Sequence, residues 1–365
     1  MELIELFKFF ISSKSETPDD GGLLDFIENY LSDFEAVRLD IANVKNLFIY
    51  KNFGDGDHLC FAGHVDVVPA GDGWNTNPYE AVEKDGYIYG RGTQDMKSGV
   101  VAFTQALKST KEFNGTLSLL LTSDEEGEAI NGTVKVLEYL KDKNLLPDSI
   151  VVAEPTCEDS FGDAIKVGRR GSINGYITVK GKQGHAAYPE KAINPIHKIS
   201  TILQNIAGAN LDNGDQFFSP SKFVITDIRS GMEVTNVTPN ELRMMFNVRN
   251  TTLTTQKEVK EFVDLNFKDL DYNLNLTQGS YPFKTDTNTK IVKNIDTAIE
   301  KVIGIRPKHS TAGGTSDARF IAQFGIDVIE FGVKNDTIHA VNERTTKKEV
   351  EKLYEVFKTL VDDWR

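Results

Sequence analysis

Apolar residues along this chain fall into two textures. Short apolar runs at 47–50, 59–62, 117–122, 150–153 and 328–331 read as buried strands, and stretches of helical periodicity lie at 98–109, 133–141 and 288–303. Buried strands interleaved with helices predict a mostly parallel α/β sheet. The N-terminal segment adds a helix over 2–11. A second helix is expected to begin at Thr17-Pro18, since proline is tolerated in a first helical turn, and to run through Leu31.

From about Gly171 the pattern changes. Residues 172–180, 222–228 and 242–249 alternate, 192–206 and 255–267 repeat at helical spacing, and a further strand follows at 273–277. Amphipathic strands with two helices predict a small two-layer α+β domain, one sheet face covered by helices and the other left for a partner. The chain therefore reads as an α/β domain, 1–170 and 284–365, interrupted by an inserted domain, 171–283.

Candidate chemistry collects at the strand ends. In Phe61-Ala62-Gly63-His64-Val65-Asp66, His64 and Asp66 point the same way at strand spacing. That suits a metal ligand and the carboxylate taking its other N–H, or a core histidine that is merely hydrogen-bonded. Gly90-Arg91-Gly92-Thr93-Gln94-Asp95 leaves Asp95 at a strand-to-helix turn, where it could serve as a ligand or as a helix cap. The apolar run ending at Thr122 leads into Ser123-Asp124-Glu125-Glu126-Gly127, and successive acids at such a place are costly unless a cation sits among them. Glu154 follows another apolar run, and Asp336-Thr337-Ile338-His339-Ala340-Val341-Asn342-Glu343 supplies a loop histidine. Each is weak alone; His64, Asp95, Glu126, Glu154 and His339 together point to a metal site.

Composition narrows the reading by exclusion. At 365 residues, 39% apolar and 26% charged, the chain suits a soluble protein of two domains. A net charge of −13 without a Lys/Arg run argues against nucleic acid. No apolar run approaches the roughly 18 residues of a membrane span. Cys60 and Cys157 lack metal-motif spacing, and the N-terminus has no basic leader, so an unexported protein of the cytoplasm is expected, away from membranes.

The same motifs, in this order along nearly the whole chain, resemble the co-catalytic zinc aminoacylase and carboxypeptidase family that includes acetylornithine deacetylase. The resemblance implies a zinc-peptidase-like catalytic domain with a mostly parallel mixed sheet, an inserted dimerisation domain, and two Zn²⁺ per subunit with Co²⁺ able to substitute. Carried over by position, Asp95 bridges the metals, His64 and Glu154 complete one, and Glu126 and His339 the other. Glu125 becomes the general base, Asp66 orients His64, and the peptide after Asp95 is cis.

Val167-Gly168-Arg169-Arg170-Gly171 and Gly181-Lys182-Gln183-Gly184-His185 resemble family members that act on dicarboxylate amides. In those, the residue matching His185 reaches into the partner subunit of a homodimer to stabilise an oxyanion. Arg169, Asn236, Arg249, Gly314 and Thr315 match positions that hold the substrate, and guanidinium, backbone and hydroxyl donors suit its carboxylates. The implied reaction is hydrolysis of N-succinyl-L,L-2,6-diaminopimelate to succinate and L,L-2,6-diaminopimelate. N-acetylornithine deacetylation or dipeptide cleavage on the same scaffold stays open, as does a catalytically silent binding protein. An intact Glu125 argues against the last. His58, His197 and His309 have no motif company and read as structural.

Overall fold

The computed structural model describes residues 1–364. Among them the larger sheet has eight strands, in the order Glu35–Arg38, Asn46–Asn52, Thr116–Thr122, His58–His64, Ser149–Val152, Asp327–Glu330, Ala164–Lys166 and Lys308–Ser310. Thr116–Thr122, His58–His64, Ser149–Val152 and Asp327–Glu330 run parallel at its centre, and these are the strands that read as continuous apolar runs. The Glu35–Arg38 edge pairs antiparallel and is largely exposed, so no apolar signal marks it.

Helices cover this sheet through aromatic packing. The Phe61 ring lies 5.7 Å from Phe103 of helix Lys97–Ser109 and 5.2 Å from Phe357 of helix Lys347–Asp362, with Phe331 a further 6.1 Å from Phe357. All four rings are buried, and each contributes about 1.5–3 kcal/mol by leaving water. Helix Lys347–Asp362, not among the helices expected from sequence, starts at a capping box formed by Thr346 and Glu349.

The second helix does not begin at Thr17. It spans Leu23–Tyr30, and Thr17-Pro18 is a cis peptide within a turn. Thr17 N–H donates to the Val67 carbonyl at 3.0 Å, which ties this segment beside the His64–Asp66 stretch. The helix starts after Gly22, and Asp20 lies just ahead of it, its Oδ2 accepting from Leu24 N–H at 3.2 Å.

Two compact units partition the chain. One comprises Met1–Val167, Thr285–Ser310 and Ser316–Arg365; the other comprises Gly168–Lys284 and Thr311–Thr315. The short piece Thr311–Thr315, placed by sequence with the larger domain, joins the second unit through Arg169 Nη1, which donates to Ala312 O at 3.0 Å, and through a Thr311 hydroxyl bond to Phe217 O.

Among the described residues, the main sheet of the second unit has four antiparallel strands, ordered Phe223–Ser230, Glu241–Val248, Ser172–Lys180 and Tyr272–Ser280. Their inward side chains, among them Ile173, Ile177, Met244 and Phe246, bury against Ile199 and Ile206 of helix Pro195–Ile206 and Val259 and Val263 of helix Gln256–Phe267. Gly175 is required here, because a Cβ would lie 2.0 Å from the Phe246 ring that stacks on Phe223. On the opposite face Tyr176 and Met245 are exposed. No described helix in either unit is long and apolar enough to cross a membrane.

Candidate metal centre

Parallel register brings the strand ends together. His64 pairs with Thr122 and Ala62 with Val152, so the residues just beyond these strands, Asp66, Glu125, Glu126 and Glu154, emerge at one edge of the sheet. Helix Lys97–Ser109 can start at the same edge because Gly99 packs on Ala153, where a Cβ would meet the Ala153 Cβ at 2.4 Å. The antiparallel pairing of Arg344 with Tyr89 sets the Asp95 turn beside the His339 loop.

All five candidate ligands lie in this unit and meet. His64 Nε2 is 3.2 Å from Asp95 Oδ1 and 3.8 Å from Glu154 Oε1. His339 Nε2 is 3.2 Å from Asp95 Oδ2 and 2.9 Å from Glu126 Oε1. The two oxygens of Asp95 thus face different imidazoles, each imidazole with its own further carboxylate. Donor atoms of His64, Asp95 and Glu126 also lie within 4.8 Å of one another, a grouping that crosses this partition; the shorter pair distances define the two sets.

The peptide after Asp95 is cis. Its turn is held by Glu343, a fully buried carboxylate that accepts from Gln94 N–H at 2.8 Å, Asp95 N–H at 3.2 Å, Gly92 N–H at 3.2 Å and Arg91 Nη1 at 2.7 Å. Sequence reasoning gave Glu343 no role. It stands in a polar loop, and only its burial by the rest of the fold reveals it.

The acids after Thr122 divide their work. Asp124 closes the turn, its Oδ2 accepting from Asn131 N–H at 3.0 Å. Glu126 faces His339. Glu125 is half-buried, with Glu126, Asp95 and Asp317 as charged neighbours. Asp66 holds His64 through its main chain: His64 Nδ1 is 2.8 Å from the Asp66 carbonyl oxygen and 3.6 Å from its carboxylate, and Asp66 Oδ2 accepts from Glu126 N–H at 3.1 Å.

Crowded carboxylates shape the electrostatics. Burial, reinforced by neighbouring acids, pushes the Glu125 and Glu154 carboxyls well above the usual range. Burial also acts upward on Asp95, but hydrogen bonds from His339 and His64 outweigh it and hold that carboxyl low. Hydrogen bonds to Asp95 and Glu126 carry His339 up to about 10.

The donor set fits two zinc-sized ions. Ligand atoms sharing one tetrahedral zinc at about 2.0–2.2 Å stand about 3.3–3.6 Å apart, close to the separations on either side of Asp95. Each set offers an imidazole nitrogen and carboxylate oxygens, the combination that leaves a position open in catalytic zinc sites.

In the second unit, the ribbon that pairs Gly184–His185 with Val237–Thr238 brings His185 near Asn236, whose carbonyl accepts from Ala186 N–H at 2.9 Å. His185 is exposed and accepts from Ala187 N–H at 3.0 Å through Nδ1. Arg169 is buried against the Ala312–Gly313 turn that leads to Gly314 and Thr315. Arg249 is exposed just beyond strand Glu241–Val248.

A model of peptidase family M20/M25/M40 matches residues 60–363. Succinyl-diaminopimelate desuccinylase of Sulfurimonas denitrificans is 76% identical over 365 residues, covering 100% of both chains. Among solved structures, aminopeptidase PepT from Bacillus cereus aligns with a TM-score of 0.80 at 20% identity, over 99% of this chain and 97% of its own. The YXEP protein of Bacillus subtilis, described as a dinuclear metal-binding peptidase, aligns with a TM-score of 0.69 at 14% identity, over 98% and 96%. At these identities the structures speak for the fold.

Proposed function

The chain belongs to peptidase family M20/M25/M40, and from that premise we propose that it splits N-succinyl-L,L-2,6-diaminopimelate into succinate and L,L-2,6-diaminopimelate, a step toward lysine. It is a metal-dependent amide hydrolase. The observation that carries this is 76% identity, end to end, with a protein named for that reaction, in a chain whose Asp95 presents one oxygen to each of two imidazoles.

Asp95 would bridge two Zn²⁺, replaceable by Co²⁺, with His64 and Glu154 completing one site and Glu126 and His339 the other. Bound there, the ions supply Lewis acidity to the amide carbonyl and acidify a water. Glu125 takes the proton of the attacking water and hands it to the leaving amine. In a homodimer, His185 donates to the oxyanion in the partner subunit's site. Arg169, Arg249, Asn236 and the Gly314-Thr315 turn hold the substrate carboxylates. Two buried, unpaired thiols, Cys60 and Cys157, suit the cytoplasm.

Parallel assays with N-succinyl-L,L-2,6-diaminopimelate, N-acetylornithine and dipeptides, with zinc quantified in the same sample, test the reading. Faster turnover of acetylornithine or a dipeptide would replace the substrate. Two bound zincs without any turnover would favour a binding protein.

A further inference from the structure

We propose that Glu343 and Arg91 form a brace that fixes Asp95 relative to His339, and thereby the spacing of the two metal sites; the inference rests on the metal-centre reading above. His64 and Glu154 take their positions from neighbouring parallel strands. Asp95 and His339 have no such support. Asp95 lies in a turn, and His339 is 49% exposed in a loop at φ +56°.

Beyond the Arg344–Tyr89 strand pairing, what ties these two segments together next to the ligands is a buried ion pair that reaches the main chain on both sides. Glu343 Oε1 takes the N–H groups of Gln94 and Asp95, while Oε2 takes Gly92 N–H and Arg91 Nη1. Arg91 then spends its remaining fork on the other loop: Nη2 donates to His339 O at 3.3 Å and Nη1 to Ala340 O at 3.2 Å. A third contact, Nη2 to Ala70 O at 3.2 Å, and the Trp74 ring at 5.2 Å fix the guanidinium from below. Gln94 adds a parallel strut, donating to Asp336 Oδ1 at 2.7 Å and accepting from Thr337 N–H at 2.9 Å.

All four partners of Glu343 are donors, so a carboxylate satisfies them and an amide of the same shape cannot. A buried ion pair is a poor source of net stability, because well-packed apolar side chains of similar volume often do as well. The directional bonds to both ligand-bearing loops are what an apolar pair would not supply. Paired metals about 3.5–4 Å apart leave little room for drift of a shared carboxylate. Glu343 and Arg91 are therefore positioning residues, acting through Asp95 and His339.

Zinc titration of the chelator-stripped protein tests the brace, using wild type, Glu343→Gln, Arg91→Lys and His339→Ala. Wild type should show two binding steps, of which His339→Ala loses one. The brace variants should weaken that same step about 10- to 100-fold and the other step, which shares only Asp95, by less, with kcat falling more than KM rises. Arg91→Lys keeps a cation beside Glu343 while removing the fork, so it reports on the brace even if Glu343→Gln does not fold. An Arg91→Lys protein that melts earlier yet binds both zincs as wild type would reduce the pair to a structural role. A wild type without paired steps would remove the metal-centre reading itself.

Discussion

His64 and Asp66 meet through the main chain: His64 Nδ1 lies 2.8 Å from the Asp66 carbonyl oxygen and 3.6 Å from its carboxylate. The carboxylate serves Glu126 instead, through that residue's backbone N–H. One residue thus steadies a ligand of each proposed metal, one with its backbone and one with its side chain.

Asp66→Ala should accordingly spare the site of His64 and Glu154 and weaken that of Glu126 and His339, by about tenfold or more. Resolved zinc-binding isotherms check this. Equal or greater loss at the His64 site would return the carboxylate to the imidazole.

Glu125→Gln keeps the size of the side chain and removes its basicity. It should retain both metals and lower kcat by about 10²–10⁴-fold. Steady-state kinetics beside metal analysis decide it, and undiminished kcat would take Glu125 out of the mechanism.

If His185 acts across a homodimer, Glu125→Gln and His185→Ala subunits, each inactive alone, should regain activity when mixed. Each mixed dimer then holds a site with an intact base and an intact histidine from its partner. No recovery in verified mixed dimers would place His185 in its own subunit's site or outside catalysis.

His58 offers a pH test remote from the metals. Burial lowers its imidazole to about 4, against the opposing charge of Asp148, and its Nε2 lies 2.7 Å from Ser118 Oγ. The folded state therefore binds fewer protons than the unfolded one, whose histidine titrates near about 6.5. Stability from this group is complete above about 6.5 and drains as pH falls toward about 4, by up to about 3 kcal/mol. Urea unfolding of wild type and His58→Gln across that window should show a flatter profile for the variant.

The legible parts of this protein are those with a local cause. Runs such as Leu117–Leu121 are apolar because both faces of their strand are covered, and the acids that follow stand out against them. Alternation in Ser172–Lys180 reports one covered face. What stayed hidden depends on partners far along the chain. Glu343 is a ligand-loop organiser only because residues some 250 positions earlier surround it. Thr17-Pro18 carries a helix-start signal that a backbone bond to Val67 overrides. Strand spacing concerns side chains and does not tell that His64 Nδ1 finds the main-chain oxygen of Asp66, which lies just past the strand end.

The shared register of strands Thr116–Thr122, His58–His64 and Ser149–Val152 makes the sheet a ruler for the centre. One residue inserted within a strand advances everything after it by about 3.3 Å and turns its side chains to the opposite face. That step is as long as the gap between neighbouring ligands. Length changes should therefore abolish metal binding when made within these strands or in the ligand-bearing turns at their carboxyl ends, and be tolerated in the turns at the other end of the strands, which gives protein engineers a map of where the scaffold can be cut, lengthened or rejoined.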